Sequence, residues 1–89
     1  MIQSTISISN KLGLHARASA KLTKLAGTYA SEIHLSRNGR RVNAKSIMGV
    51  MMLAAGMGSV VDIEVEGADE QDAMNALRSL IDGKFGESE

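Results

Sequence analysis

The sequence predicts an α+β domain, an antiparallel-dominated sheet carrying all of its helices on one side. Three observations lead there. Three stretches alternate apolar and polar residues with period two, as strands with one buried face do. Two longer stretches repeat apolar residues at helical spacing. An Asn-Gly pair joins two strand segments too closely for anything but a hairpin. Elements with a single apolar face are all buried by two layers, which leaves the far side of the sheet to water. The order reads β-α-β-β-α-β-α.

The first strand holds Ile2, Ile6 and Ile8 on one face, with Ser4 interrupting the row as an edge position would. Asn10-Lys11-Leu12-Gly13 is a loop. The period then changes: Ala18, Leu22, Leu25 and Ala26 form one helical face, while Arg17, Lys21 and Lys24 share another. Gly27 is the expected stop, in the left-handed conformation at C′. Ile33 and Leu35 mark the second strand, and Asn38-Gly39 a type I′ turn into a short third strand ending at Asn43. Ser46 is placed to cap a short helix that Gly56-Met57-Gly58 ends. Val61, Ile63 and Val65 make the fourth strand, with an acidic outer face. Asp69 is placed to cap the last helix, whose stripe is Ala73, Leu77, Leu80 and Ile81, with Met74 at its border. Gly83 ends it, and Glu87-Ser88-Glu89 is expected to fray.

Composition narrows the function. A chain of 89 residues is expected to form a single domain over 1–89. Ten basic residues balance ten acidic ones, and Tyr29 and Phe85 are the only aromatics. Nucleic-acid binding is therefore not expected, since it needs a basic surface or stacking platforms. Without cysteine there is no disulfide, thiol chemistry or cysteine zinc site. The amino-terminal segment lacks the basic-then-apolar pattern of a signal peptide, and the apolar run Ile47–Met57 is too short to span a bilayer. A cytoplasmic monomer without membrane contact is the expectation.

The candidate chemistry lies at Gly13-Leu14-His15-Ala16-Arg17-Ala18-Ser19. Histidine is a poor N-cap beside Ser, Asp or Asn, so helix stability alone does not account for His15. The first helical turn offers unpaired N–H groups and a partial positive charge. A phosphoryl group on the imidazole would meet those donors and the Arg17 guanidinium. On these residues alone, a plain surface histidine at a strand-to-helix junction is an equally good reading. His34 alternates with Ile33 and Leu35 and so faces solvent, without ligand spacing to any metal partner.

The motif around His15 resembles the active centre of the HPr family, the histidine-containing phosphocarriers of the bacterial phosphoenolpyruvate-dependent phosphotransferase system. Asn43-Ala44-Lys45-Ser46-Ile47-Met48-Gly49-Val50-Met51 resembles that family's second motif, around its regulatory serine. The resemblance covers essentially the whole chain. It implies an open-faced β-sandwich of four antiparallel strands and three helices. It implies that His15 takes phosphate on Nδ1 from phosphorylated enzyme I and gives it to an enzyme IIA, with Arg17 steadying the group. The protein would be a carrier component of a phosphotransferase, with no cofactor of its own and phosphoenolpyruvate as indirect donor. Many members have proline after the motif arginine; here Ala18 leaves Arg17 less restricted.

Ser46 is on its own a helix cap, worth about 1 kcal/mol. The resemblance adds phosphorylation by HPr kinase/phosphorylase. Val50 and Leu53 are the expected core residues of the short helix, which leaves Ile47, Met48 and Met51 exposed. With Ala16, Ala20, Lys21, Lys24 and Lys45 these form the expected partner surface, adaptable through methionine and steering acidic partners by charge. The alternative within the family is a mainly regulatory protein of the HPr or nitrogen-branch type, acting by protein binding rather than in sugar uptake.

Overall fold

Alternating Ile, Leu and Val residues build β1 (Ile2–Ser7), β2 (Glu32–Arg37) and β4 (Val60–Glu66), and the hairpin adds β3 (Arg40–Asn43), in a computed structural model that describes residues 1–88. The strands form one antiparallel sheet in the order β1-β4-β2-β3. Helices α1 (Ala16–Ala26), α2 (Ile47–Met52) and α3 (Glu70–Asp82) complete the expected β-α-β-β-α-β-α order, and a 3-10 turn follows at Lys84–Gly86. The apolar side chains of the sheet meet Ala18, Leu22 and Ala26 of α1, Val50 of α2, and Ala73, Met74, Leu77 and Ile81 of α3 in one core. The Asn-Gly turn has the expected geometry, with φ of 50° at Asn38 and 82° at Gly39. Ser4, on edge strand β1, accepts a hydrogen bond from Arg78 of α3.

Several local expectations are corrected. Gly27 is right-handed (φ −66°). The chain leaves α1 through i→i+3 bonds from Thr28 to Leu25 and Tyr29 to Ala26, which need no left-handed residue. Helix α2 ends before Gly56, because exposed Ala54 has turned left-handed at φ 52°. An L-residue there costs about 1 kcal/mol that glycine avoids, so Ala54→Gly is expected to raise the melting temperature by roughly 5 °C in a thermal melt. In α3, Met74 is buried and Leu80 only partly so, the reverse of the expected stripe. Phe85, not assigned to the core, is the largest of the fully buried side chains.

Asp69 precedes α3 but does not cap it. Its carboxylate reaches across to the α1–β2 loop. There it accepts from the Ser31 hydroxyl, from the Ala30 N–H at 2.8 Å and from the Ser31 N–H at 2.9 Å. The Ser31 hydroxyl first, then the Ala30 N–H, hold this carboxyl below its ordinary value of 3.8. A group whose folded pKa is depressed stabilises the fold above its unfolded value, and that stabilisation is lost as pH falls through the folded value. Asp69→Asn is therefore expected to lower the melting temperature by several degrees at pH 7. The gap to the parent should close in melts taken at pH values well below 3.8.

Candidate functional site

The loop before α1 is clipped to the loop after α2. Leu14 N–H donates to the Ala55 carbonyl at 2.9 Å. Gly13 has φ +64°, and a Cβ on it would lie 2.4 Å from the Ala55 carbonyl oxygen, so only glycine fits. Buried Ser19 donates its hydroxyl to the Leu14 carbonyl at 3.0 Å. Between these anchors His15 is extended (φ −73°, ψ 177°) and opens α1 without a side-chain capping bond. The first turn holds no acid, and its leading amides, at Ala16, Arg17 and Ala18, have no preceding helical turn to accept from them.

The side chain of His15 is held from the far end of the chain. Nε2 lies 2.7 Å from Glu87 Oε2. Glu87 Oε1 accepts from Asn10 Nδ2 at 3.1 Å, and the same amide donates to the Gly13 carbonyl at 2.9 Å. Buried Phe85 anchors the tail, and Lys21 Nζ donates to the Phe85 carbonyl at 2.6 Å. The hydrogen bond from His15, then that from Asn10, holds the Glu87 carboxyl below its ordinary value of 4.5. Glu87 was expected to fray; it is docked instead, and Glu89 lies outside the described residues. In a neutral ring, a carboxylate on Nε2 draws the proton to that nitrogen and the lone pair falls on Nδ1.

His15 and Arg17 share an open pocket of about 370 Å³ with Lys11, Leu12, Glu87 and Ser88. The Arg17 side chain is exposed and bonds to none of the described residues. The pocket thus brings an imidazole and a guanidinium together at the start of α1, a combination suited to a tetrahedral dianion. Ser46 lies apart from this pocket at the start of α2, where its Oγ accepts from Gly49 N–H at 3.1 Å. Ala16, Ala20, Lys24, Ile47, Met48 and Met51 are all exposed, Met48 by 68%, and Val50 and Leu53 are buried. Exposed Met52 extends the patch beyond the expected set. Lys21 and Lys45 are exposed but tethered, Lys45 by donating to the Tyr29 carbonyl at 2.9 Å. His34 sits half-buried on the sheet face opposite the helices. Among the described residues no group of three His, Cys, Asp or Glu side chains is placed to hold a metal ion, and no helix is long and apolar enough to cross a membrane.

Sequence reasoning missed Asn10 and Glu87. Glu87 carries no signal beyond an acid after a helix stop. Asn10 carries one weak signal, an Asn three residues before a loop glycine.

Comparison with known proteins identifies the family. A family profile described as the PTS HPr component phosphorylation site matches residues 2–83. The phosphocarrier protein HPr of Cupriavidus necator is 65% identical over the full length of both chains. The crystal structure of HPr-C-His from Thermoanaerobacter tengcongensis superposes with a TM-score of 0.96 at 46% identity, covering all of both chains. A structure described as an HPr dimer from the same organism, at 47% identity and a TM-score of 0.79, covers 98% of this chain and 100% of that one, so a monomer does not follow from the family. With a profile match over nearly the whole chain and relatives this similar, the chain belongs to the HPr family of phosphocarriers of the phosphotransferase system.

Proposed function

We propose that His15 is the phosphoryl acceptor of this carrier, taking phosphate on Nδ1 from phosphorylated enzyme I in the cytoplasm and handing it to enzyme IIA proteins. The observation that carries the reading is the occupied Nε2: Glu87 holds it at 2.7 Å, which leaves the Nδ1 lone pair for the pocket shared with Arg17. Arg17 then pairs with the phosphoryl oxygens, and the open α1 amides add donors. The step needs no cofactor of the carrier's own; phosphoenolpyruvate supplies the group through enzyme I. Incubation with phosphoenolpyruvate, magnesium and catalytic enzyme I, followed by intact-mass analysis, should show an acid-labile gain of one phosphate, located on His15 by digestion. No gain, with an enzyme I active on its own carrier, would favour the regulatory alternative, in which the chain acts by protein binding.

The exposed Ile47, Met48 and Met51, with Ala16, Ala20 and the nearby Lys21, Lys24 and Lys45, form the partner surface in this reading. Helices α1 and α2, which carry most of these residues, pack against each other. Phosphate added to Ser46 by HPr kinase/phosphorylase would sit at the positive end of α2 and put negative charge beside that surface. Ser46→Asp is expected to slow phosphoryl acceptance from enzyme I by about tenfold at low salt, and by less as salt rises. Equal rates for the variant and the parent in rapid-quench measurements would remove Ser46 from the regulation.

A further inference from the structure

We infer that Asn10 is a positioning residue for the phosphoryl transfer, holding Glu87 against His15 Nε2 so that Nδ1 alone is available as the nucleophile. The inference rests on the proposed role of His15 as acceptor and assigns how its nitrogens are told apart. Asn10 is fully buried, yet it belongs to a loop and adds nothing to the apolar core. Its Nδ2 spends both hydrogens on two oxygens, Gly13 O at 2.9 Å and Glu87 Oε1 at 3.1 Å. Rotating the amide would set Oδ1 against both acceptors, so its orientation is fixed. Meanwhile Oδ1 has no hydrogen-bond partner among the described residues. Burying an amide with one end unsatisfied costs free energy that an apolar residue there would avoid. What the arrangement secures is the aim of one carboxylate.

That carboxylate bridges two partners. One oxygen faces Asn10 and the other, 2.7 Å away, faces His15 Nε2. The chain Gly13 O, Asn10, Glu87, His15 ties the ring to the backbone of its own loop. It matches the logic of a catalytic triad, in which a carboxylate fixes the imidazole tautomer and offsets charge developing on the ring. When Nδ1 attacks phosphorus, its lone pair forms the N–P bond and the donor's bond to phosphorus breaks, its electrons leaving with the donor. Nε2 keeps its proton throughout. The ring gains a positive charge, which Glu87 faces directly.

Chemical phosphorylation with phosphoramidate tests this without any protein partner. Imidazole and the zwitterionic donor give phosphorylated imidazolium and ammonia, so the products report the protein's own preference between nitrogens. In the parent, NMR of the ¹⁵N-labelled protein should show phosphate on His15 Nδ1 only. Asn10→Ala and Glu87→Ala should both lose that exclusivity and show Nε2-phosphohistidine as a second product, with the Nδ1 rate down about tenfold or more. Glu87→Gln keeps one acceptor oxygen where Asn10 and Nε2–H together need two, so it too should show the Nε2 product. Since Glu87 lies in the tail, Glu87→Ala serves even if Asn10→Ala folds poorly. Nδ1 product alone in Glu87→Ala and in folded Asn10→Ala would overturn the inference and leave the carrier reading intact. Absence of phosphohistidine at His15 in the parent would overturn the carrier reading, and this inference with it.

Discussion

His15→Asn is expected to leave a chain that folds at least as well as the parent and carries no phosphate. Asparagine is among the best N-caps and histidine is not, and the His15 side chain makes no capping bond to α1. The new cap contributes up to about 1 kcal/mol. Loss of the contact to Glu87 offsets part of that, so the melting temperature should hold level or rise by a few degrees. Phosphoryl acceptance from enzyme I should fall by on the order of 10⁴-fold or more, because the nucleophile itself is gone. Paired thermal melts and rapid-quench assays measure both. Acid-labile phosphate on the variant would move the acceptor elsewhere, with His34 the only other histidine. An opposed change in stability and transfer would identify a residue kept for chemistry at some expense to its helix.

Phe85→Ala should be among the most damaging single changes to stability and should also disturb the site. Phe85 is the largest of the fully buried side chains, in a core otherwise made of Ile, Leu, Val, Met and Ala. Phe→Ala truncations in cores cost about 3–5 kcal/mol, a drop of more than about 10 °C for a domain of this size. The cost extends beyond the cavity. Lys84, Phe85 and Gly86 follow one another in the left-handed region, at φ 57°, 57° and 78°. Such backbone persists only where its surroundings over-determine it. Here the ring is buried and Lys21 grips the carbonyl at 2.6 Å. With the ring removed the turn should relax and release Glu87 from Asn10 and His15. Hydrogen exchange at residues 84–88 and the phosphorylation rate should both change, while Phe85→Leu keeps most of each. A melting temperature within about 3 °C of the parent would show that the ring is not what holds the tail.

How far the sequence could be read follows the range of each interaction. Strands and helices were legible because alternation and helical repeat are properties of neighbouring residues. The Asn-Gly turn and the Ser46 cap are equally local, and both stand as expected. Asp69 shows the limit: its position favours capping, but its partners Ala30 and Ser31 lie 39 and 38 residues back. The flank of α3 that faces inward is set by packing on β1 and β4, so the stripe was found while Met74 and Leu80 were exchanged. At the site, His15 and Arg17 sit in one recognisable motif. Glu87 is 72 residues from His15, and Asn10 matters only because Glu87 returns to it. Nothing in an acidic tail announces that it closes on a loop near the other end of the chain.

That closure bears on how the protein can be handled. Glu87 and Ser88 line the His15 pocket, so a purification tag, dye or surface linker joined after them would emerge at its rim. Incoming donors would have to displace it, and a slow assay would then report the attachment instead of the carrier. The opposite terminus is the better handle. Ile2 starts β1 against Val65, and the six-residue strand sets it roughly 17–20 Å from the strand end that leads to the pocket. Coupling there gives up the ion pair between the Met1 amine and Glu70, an exposed contact of little weight. A chip or bead loaded through the amino terminus would present His15 outward to whatever flows past.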